Sequence, residues 1–260
     1  MRMRAWILAA ALSAGGSAWG QDEPAEEPAP PAAEVSASPG AHASYPVREV
    51  DRPTVLPLGV REASTELAFG ISKGQTFGDS VDLLLDGAWG FRRRLDAGAG
   101  AVLMVLPEGN TFRALDLHAQ YQLRGPWAAR VDLEAIHAPG DTQFGFGVAA
   151  PFKHKLGAGL AVTALERLLT VYASPSASLL TLPVGLHVQA MGRLAVGLRA
   201  AFELPDFDPD LRRLPVRVYG QYTMGARLDF GASVALLDVS ANAGGAFDGR
   251  AINLFAALRF

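Results

Sequence analysis

The sequence predicts an all-β protein: a transmembrane, up-and-down antiparallel β-barrel of about twelve strands, preceded by a disordered, proline-rich N-terminal tail. Three observations predict it. From residue 61 onward, apolar and polar residues alternate with period two, segment after segment. Half of the residues are hydrophobic, yet no run of eighteen apolar residues follows residue 20, so ordinary helices cannot carry the chain across a bilayer. Short basic turns also alternate with longer polar connections, as in a meander.

The first twenty residues read as a secretory signal. Arg2 and Arg4 supply a positive start, "AWILAAALSA" is the apolar run, and Ala18-Trp19-Gly20 before Gln21 forms a small-residue cleavage site. There is no cysteine, which excludes disulfides, thiolate metal sites and a thiol nucleophile. The formal net charge of −3 suggests no nucleic-acid partner. Residues 21–58 hold eight of the seventeen prolines, in "DEPAEEPAPPAAEVSASPG" and onward to Pro57. Such a composition buries too little apolar area to offset its ordering entropy, so an extended periplasmic tail is expected. It would serve as a spacer, a tether to an unknown periplasmic partner, or a plug.

Twelve strands are expected to start near residues 61, 80, 95, 112, 127, 143, 156, 184, 194, 214, 228 and 250. In "SVDLLLDGAWGF", Val81, Leu83, Leu85, Trp89 and Phe91 share one face, and Asp82, Asp86, Ala88 and Gly90 share the other. "LDLHAQY", "ARVDLEA" and "VRVYGQYT" alternate in the same way. Tight turns are expected near Arg92–Arg94, Gly125–Pro126, Lys153–Lys155, Met191–Arg193 and Gly225–Arg227, with longer connections between them. Pro151 and Pro215 fall at expected strand ends and Pro183 just before a strand, where a missing N–H is tolerated. The stretch 165–195 is the least regular, and ten strands would follow if it were not paired as expected.

An open sheet cannot sit in hydrocarbon, because its edge groups would go unpaired; closure satisfies them. On the apolar face, Trp89, Phe91, Tyr121, Trp127, Phe152, Tyr222, Phe230 and Phe260 gather beside the short turns, as an aromatic girdle at a water–lipid interface would. The last segment, "AINLFAALRF", keeps its alternation to the terminal Phe260.

With its signal, its alternating strands and the ending "FAALRF", the chain resembles bacterial outer-membrane β-barrel proteins. "DRPTVLPLGVREASTEL" is similar to the start of poorly characterised, porin-like Gram-negative barrels. The resemblance spans roughly residues 51–260 and implies a place in the outer membrane, among its lipids, with both termini periplasmic. It also implies insertion by the barrel-assembly machinery, which reads a final strand ending in an aromatic such as Phe260.

The opposite face carries the candidate site residues: Glu66, Asp82, Asp86, Asp116, His118, Arg130, Asp132, Glu134, His187, Arg199, Glu203, Arg217 and Arg259. Charges lining a lumen can filter solutes electrostatically or lock together as salt bridges. Twelve strands lie between the filled eight-stranded barrel and the open sixteen-stranded one, so a narrow pore for small polar or charged solutes is expected. The small residues on that face, Gly98, Gly145, Gly197 and Gly231 among them, are expected to leave open volume.

Catalysis is not expected, and neither is a cofactor or a metal. Arg130-x-Asp132-x-Glu134 could do acid–base work, but it reads better as part of a charge network. The His-x-Ser of a lipase-like barrel occurs only at His42-Ala43-Ser44, in the tail. Asp206, Asp208 and Asp210 alternate as calcium ligands can. An EF-hand would then need Gly and Glu where Leu211 and Arg217 stand, so a solvated acidic loop is expected.

Overall fold

The computed structural model describes residues 45–72, 79–106, 111–138, 141–173, 176–240 and 248–260. The expected signal and residues 21–44 of the expected tail lie outside the described residues. The described chain forms β1 (Arg61–Ser72), β2 (Ser80–Arg92), β3 (Leu95–Leu106), β4 (Thr111–Gln122), β5 (Ala128–Ala138), β6 (Asp141–Ala149) and β7 (Phe152–Gly157). It continues with β8 (Leu160–Ala164), β9 (Leu169–Tyr172), β10 (Ala177–Gln189), β11 (Leu194–Pro205), β12 (Val216–Met224), β13 (Leu228–Leu236) and β14 (Gly249–Arg259).

These segments build twelve strands. β6 and β7 are one strand interrupted at Ala150-Pro151, and β8 and β9 are one strand interrupted at residues 165–168. All pairings are antiparallel, and β14 pairs with β1 from Glu62↔Arg259 to Ser72↔Gly249, so the sheet closes on itself. The fold is therefore a closed twelve-stranded barrel.

Two boundaries differ from expectation. The turn placed at Lys153–Lys155 lies further on, between Gly157 and Leu160, because β7 continues past both lysines to pair with β8. The strand expected from 184 begins at Ala177, with Pro183 inside it. The cause is a bulge. Between Ala164↔Val184 and Leu169↔Leu180, four residues of one strand face three of its partner, and Leu165 takes a φ of 54°. Pro183 accepts from the Leu165 N–H at 3.0 Å there, and its own missing donor falls where the ladder is already broken.

The alternation sorts side chains inside out. Leu133 is 56 % exposed and Phe144 63 %, while their neighbours Asp132 and Gly145 face the interior, Asp132 only 4 % exposed. Asn253, Ser233 and His187 are buried as well. A water-soluble barrel would reverse this, since apolar burial drives its folding.

At four of the interior glycines the expected open space is filled. Each of four interior glycines sits directly across a strand pair from a ring: Gly98↔His118, Gly145↔Tyr172, Gly197↔Tyr219 and Gly231↔Phe255. A Cβ at these glycines would lie 2.5, 2.8, 2.2 and 2.5 Å from the ring opposite. The rings lie over the bare backbone, filling what the glycines leave and covering otherwise weak strand positions.

Gly197→Ala is accordingly expected to destabilise the barrel by roughly 1–3 kcal/mol, because Tyr219 must leave its seat. Urea unfolding in lipid or detergent measures this. Adding Tyr219→Ala should return part of the loss, so the two changes will not be additive.

Candidate functional site

The interior of the barrel and its short-turn mouth form the site. Residues 45–58 belong to the tail that the sequence predicts to be disordered; instead they fold into that mouth. A single 3₁₀ turn, Glu49–Asp51, is followed by an extended run that ends in a tight reversal at Gly59. There φ is 85° and the N–H donates to Gly90 O at 2.6 Å.

Arg52 is the anchor. Its guanidinium grips both carboxylate oxygens of Asp229, at 2.7 and 2.8 Å, and also donates to Glu49 Oε2 at 2.7 Å. Further bonds go to Thr223 Oγ1 and to the carbonyls of Pro46 and Val47. A planar five-donor fork is the side chain suited to such a set. Asp229 also accepts from Arg259 at 2.6 Å, and Arg259 reaches Glu62 and stands over the Tyr45 ring at 4.7 Å.

The segment touches much of the ring of strands. Lys153 bonds the Glu49 carbonyl at 2.8 Å and its carboxylate at 3.2 Å, and Lys155 pairs with Asp51. Gln189 accepts from the Glu49 N–H, Gln120 donates to Thr54 O, and Asp96 accepts from the Leu56 N–H at 2.7 Å. Arg48 bonds Ala158 O in the β7–β8 turn. Pro57 is so close to Gly90 that a Cβ there would meet its carbonyl at 2.1 Å. Burial pushes the Glu49 carboxyl up, but Lys153 and Arg52 outweigh this and hold it below the usual 4.5. Burial pushes the Tyr45 hydroxyl up to about 12.

Beyond this segment lies a cavity of about 690 Å³. It is lined by Asp86, Asp116, His118, Arg130, Glu134, His187 and Arg199 from the sequence-predicted set. Arg130 pairs with Asp132 at 2.6 Å and approaches Asp116 at 3.7 Å, so the Arg130–Asp132–Glu134 row is tied up in ion pairs. Glu134 accepts from Tyr172 Oη at 2.9 Å and meets Arg167 at 3.4 Å. His187 touches Thr163 Oγ1 at 3.0 Å and the Tyr219 hydroxyl. Arg199 reaches Glu166 at 3.5 Å. The bulge after β8 thus contributes Glu166 and Arg167, two cavity charges that strict alternation does not find.

The remaining residues of the set sit elsewhere. Glu66 and Arg217 pair at 2.8 Å across the width of β13 and β14. Asp82 pairs with Arg113 near the long connections, and the Glu203 backbone bridges to Arg213. Of the aromatic set, Trp89, Tyr121, Trp127, Tyr222, Phe230 and Phe260 are exposed on the outer face. Phe91 packs on Trp89 at 5.8 Å between ring centres, and Phe152 on Trp127 at 4.7 Å. In the "DFDPD" loop, Asp206 and Asp208 spend their carboxylates on the backbone N–H groups of Ser178 and Asp210.

The mouth was the part sequence reasoning missed. Glu49 and Arg52 stand three apart in "REVDR", a spacing that permits a pair across one turn. Lys153, Gln189, Gln221, Thr223 and Asp229 repeat polar residues at the interior ends of strands near the short turns. Those two signals together would have pointed to a docked segment.

A closed twelve-stranded barrel with an apolar exterior and a charged interior defines the class: the fold is that of the bacterial outer-membrane β-barrel porins. The NanC porin, solved in a rhombohedral crystal form, is similar with a TM-score of 0.54 at 10% identity, over 75% of this chain and 98% of that one. The KdgM porin, solved in complex with a disordered oligogalacturonate, is similar with a TM-score of 0.55 at 8% identity, over 76% and 99%. At these identities the likeness is one of fold. No family model and no curated protein matches the chain.

Arg52→Ala is expected to weaken docking of residues 45–57 by about 3 kcal/mol, since a buried pair loses one partner. Hydrogen exchange should show that segment loosened and the strands still protected, because Asp229 keeps Arg259. Acid should act similarly. A carboxyl held below its unfolded value gives stability that is full above that value and lost as pH falls through the folded one. Protection factors of residues 45–57, corrected for the intrinsic pH dependence of exchange, should therefore be steady from neutral pH to about 5 and fall below about 4.

Proposed function

We propose that the protein is an outer-membrane channel for small polar or charged solutes, with both termini periplasmic and with residues 45–58 closing its short-turn mouth. One observation carries this reading: a charged cavity of about 690 Å³ lies beyond a segment that is bonded to the mouth by side chains. A barrel built only as an anchor needs no such cavity. The exposed apolar belt and the aromatic residues beside the short turns support a membrane setting.

The cavity charges favour cations. Seven carboxylates line it, against four lysine and arginine side chains. The oligogalacturonate bound to the KdgM porin is a polyanion, and this wall is of the wrong sign to draw one in. Filtering would follow from that sign and from the narrowness left by Tyr172, His118 and Tyr219 over their glycines.

In planar bilayers the mature chain should give discrete conductance steps with a reversal potential favouring cations. Deleting residues 22–57 should raise unit conductance several-fold by opening the mouth. A bilayer that stays sealed with both proteins inserted would replace this reading with the second one. That is a non-conducting barrel whose N-terminal tail tethers a periplasmic partner, which the occupied mouth favours.

A further inference from the structure

We propose that the short-turn rim is a docking surface for anionic phospholipid headgroups, a surface that rests on the membrane setting proposed above and not on conduction. Four of the five short turns carry at least one exposed arginine. β2–β3 has Arg92, Arg93 and Arg94, β4–β5 has Arg124, β10–β11 has Arg193, and β12–β13 has Arg227. These six arginines are exposed, and none makes an ion pair among the described residues. The fifth turn, β7–β8, carries no basic residue, and Lys155 inside β7 is held by Asp51, which also takes Arg48.

Unneutralised charge of one sign, carried on four of the five short turns, calls for a counter-charge that reaches several sides of the barrel at once. A docked protein would touch one side. The acidic block Asp22, Glu23, Glu26, Glu27 and Glu34 is one short stretch of chain, so its charge is concentrated and not shared among turns. A leaflet of headgroups meets all of it.

The level is right as well. Arg61, at the β14–β1 junction, lies 5.3 Å over the ring of Trp89, which is 47 % exposed. Its cation therefore stands beside an exposed aromatic on the outer face, and Tyr121, Trp127, Tyr222 and Phe230 lie next to the other basic turns. Aromatic rings settle at the interface and arginine forks match phosphate oxygens, so the two features together specify a phosphate-bearing surface. The rim would also fix the direction in which the barrel sits, with the docked segment 45–58 and the arginines in the same leaflet's plane.

The test reconstitutes the full mature chain in phosphatidylethanolamine vesicles with and without phosphatidylglycerol. Retained lipid is read by native mass spectrometry. Phosphatidylglycerol should be enriched, and each arginine removed should lower the enrichment about fivefold. For R92Q/R93Q/R94Q the loss is then on the order of 100-fold by the same reckoning, while the corresponding lysine variant keeps most of it. Salt at about 1 M should collapse the preference, since screening then acts within about 3 Å. The salt titration on the unaltered chain stands even if a variant fails to insert. Equal retention of the two lipids, or enrichment that ignores both salt and R92Q/R93Q/R94Q, overturns the proposal. Enrichment that appears only after residues 22–44 are deleted also overturns it, because the arginines then belong to the acidic tail. Conductance is recorded on the same samples: a conducting barrel without lipid preference sinks this inference alone, and a sealed one with it sinks the channel alone.

Discussion

Closure of the sheet is the constraint on which everything else here rests. β14 and β1 join in one continuous register from Glu62↔Arg259 to Ser72↔Gly249, and no strand edge is left between them. In hydrocarbon an unpaired backbone group costs several kcal/mol, so an open twelve-stranded sheet would not be tolerated there. Once the sheet closes, each strand has one face outside and one inside, and the period of two decides which residue goes where. The apolar exterior and the charged interior follow from that single geometric fact.

Inside, the barrel resolves two opposing demands. Bare glycine backbone weakens a strand, and wide rings crowd a narrow lumen; placing each ring over a cross-strand glycine settles both. Charges are treated the same way, in pairs. Arg130 with Asp132, Arg217 with Glu66 and Arg199 with Glu166 leave the wall charged in detail and modestly acidic in sum. The mouth is densely bonded, because Arg52 enters an interior that already holds Asp229, Arg259 and Glu62. Desolvating a guanidinium there is offset only by its complete set of acceptors. A segment held by one such residue, two lysines and a few amide and backbone bonds is firmly seated and still separable from the strands.

Much of this was legible in the chain. Ten of the twelve strands start within two residues of where alternation places them, since a half-buried strand cannot hide its period. The two that do not, after Lys153 and around Pro183, flank the bulge at Leu165–Leu168. A bulge adds one residue to one strand, so parity flips locally and a proline becomes acceptable in the interior of its partner. Nothing in the residues alone marks that position.

The sequence by itself determined the class: a strand-crossing barrel with charges inward, aromatics beside the short turns and basic residues in the turns themselves. It could do so because period, sign and side-chain character are local properties. Tertiary structure alone decided which charges meet, that His118, Tyr172, Tyr219 and Phe255 fill the glycine positions, and that Tyr45–Leu58 belongs to the barrel and not to the tail. The seating of that segment depends on partners more than a hundred residues away, Lys153 for Glu49 and Asp229 for Arg52, and the ring-over-glycine pairs depend on strand register. Composition near Pro46, Pro53 and Pro57 speaks only of what the segment cannot bury on its own, and the closed ring supplies the rest.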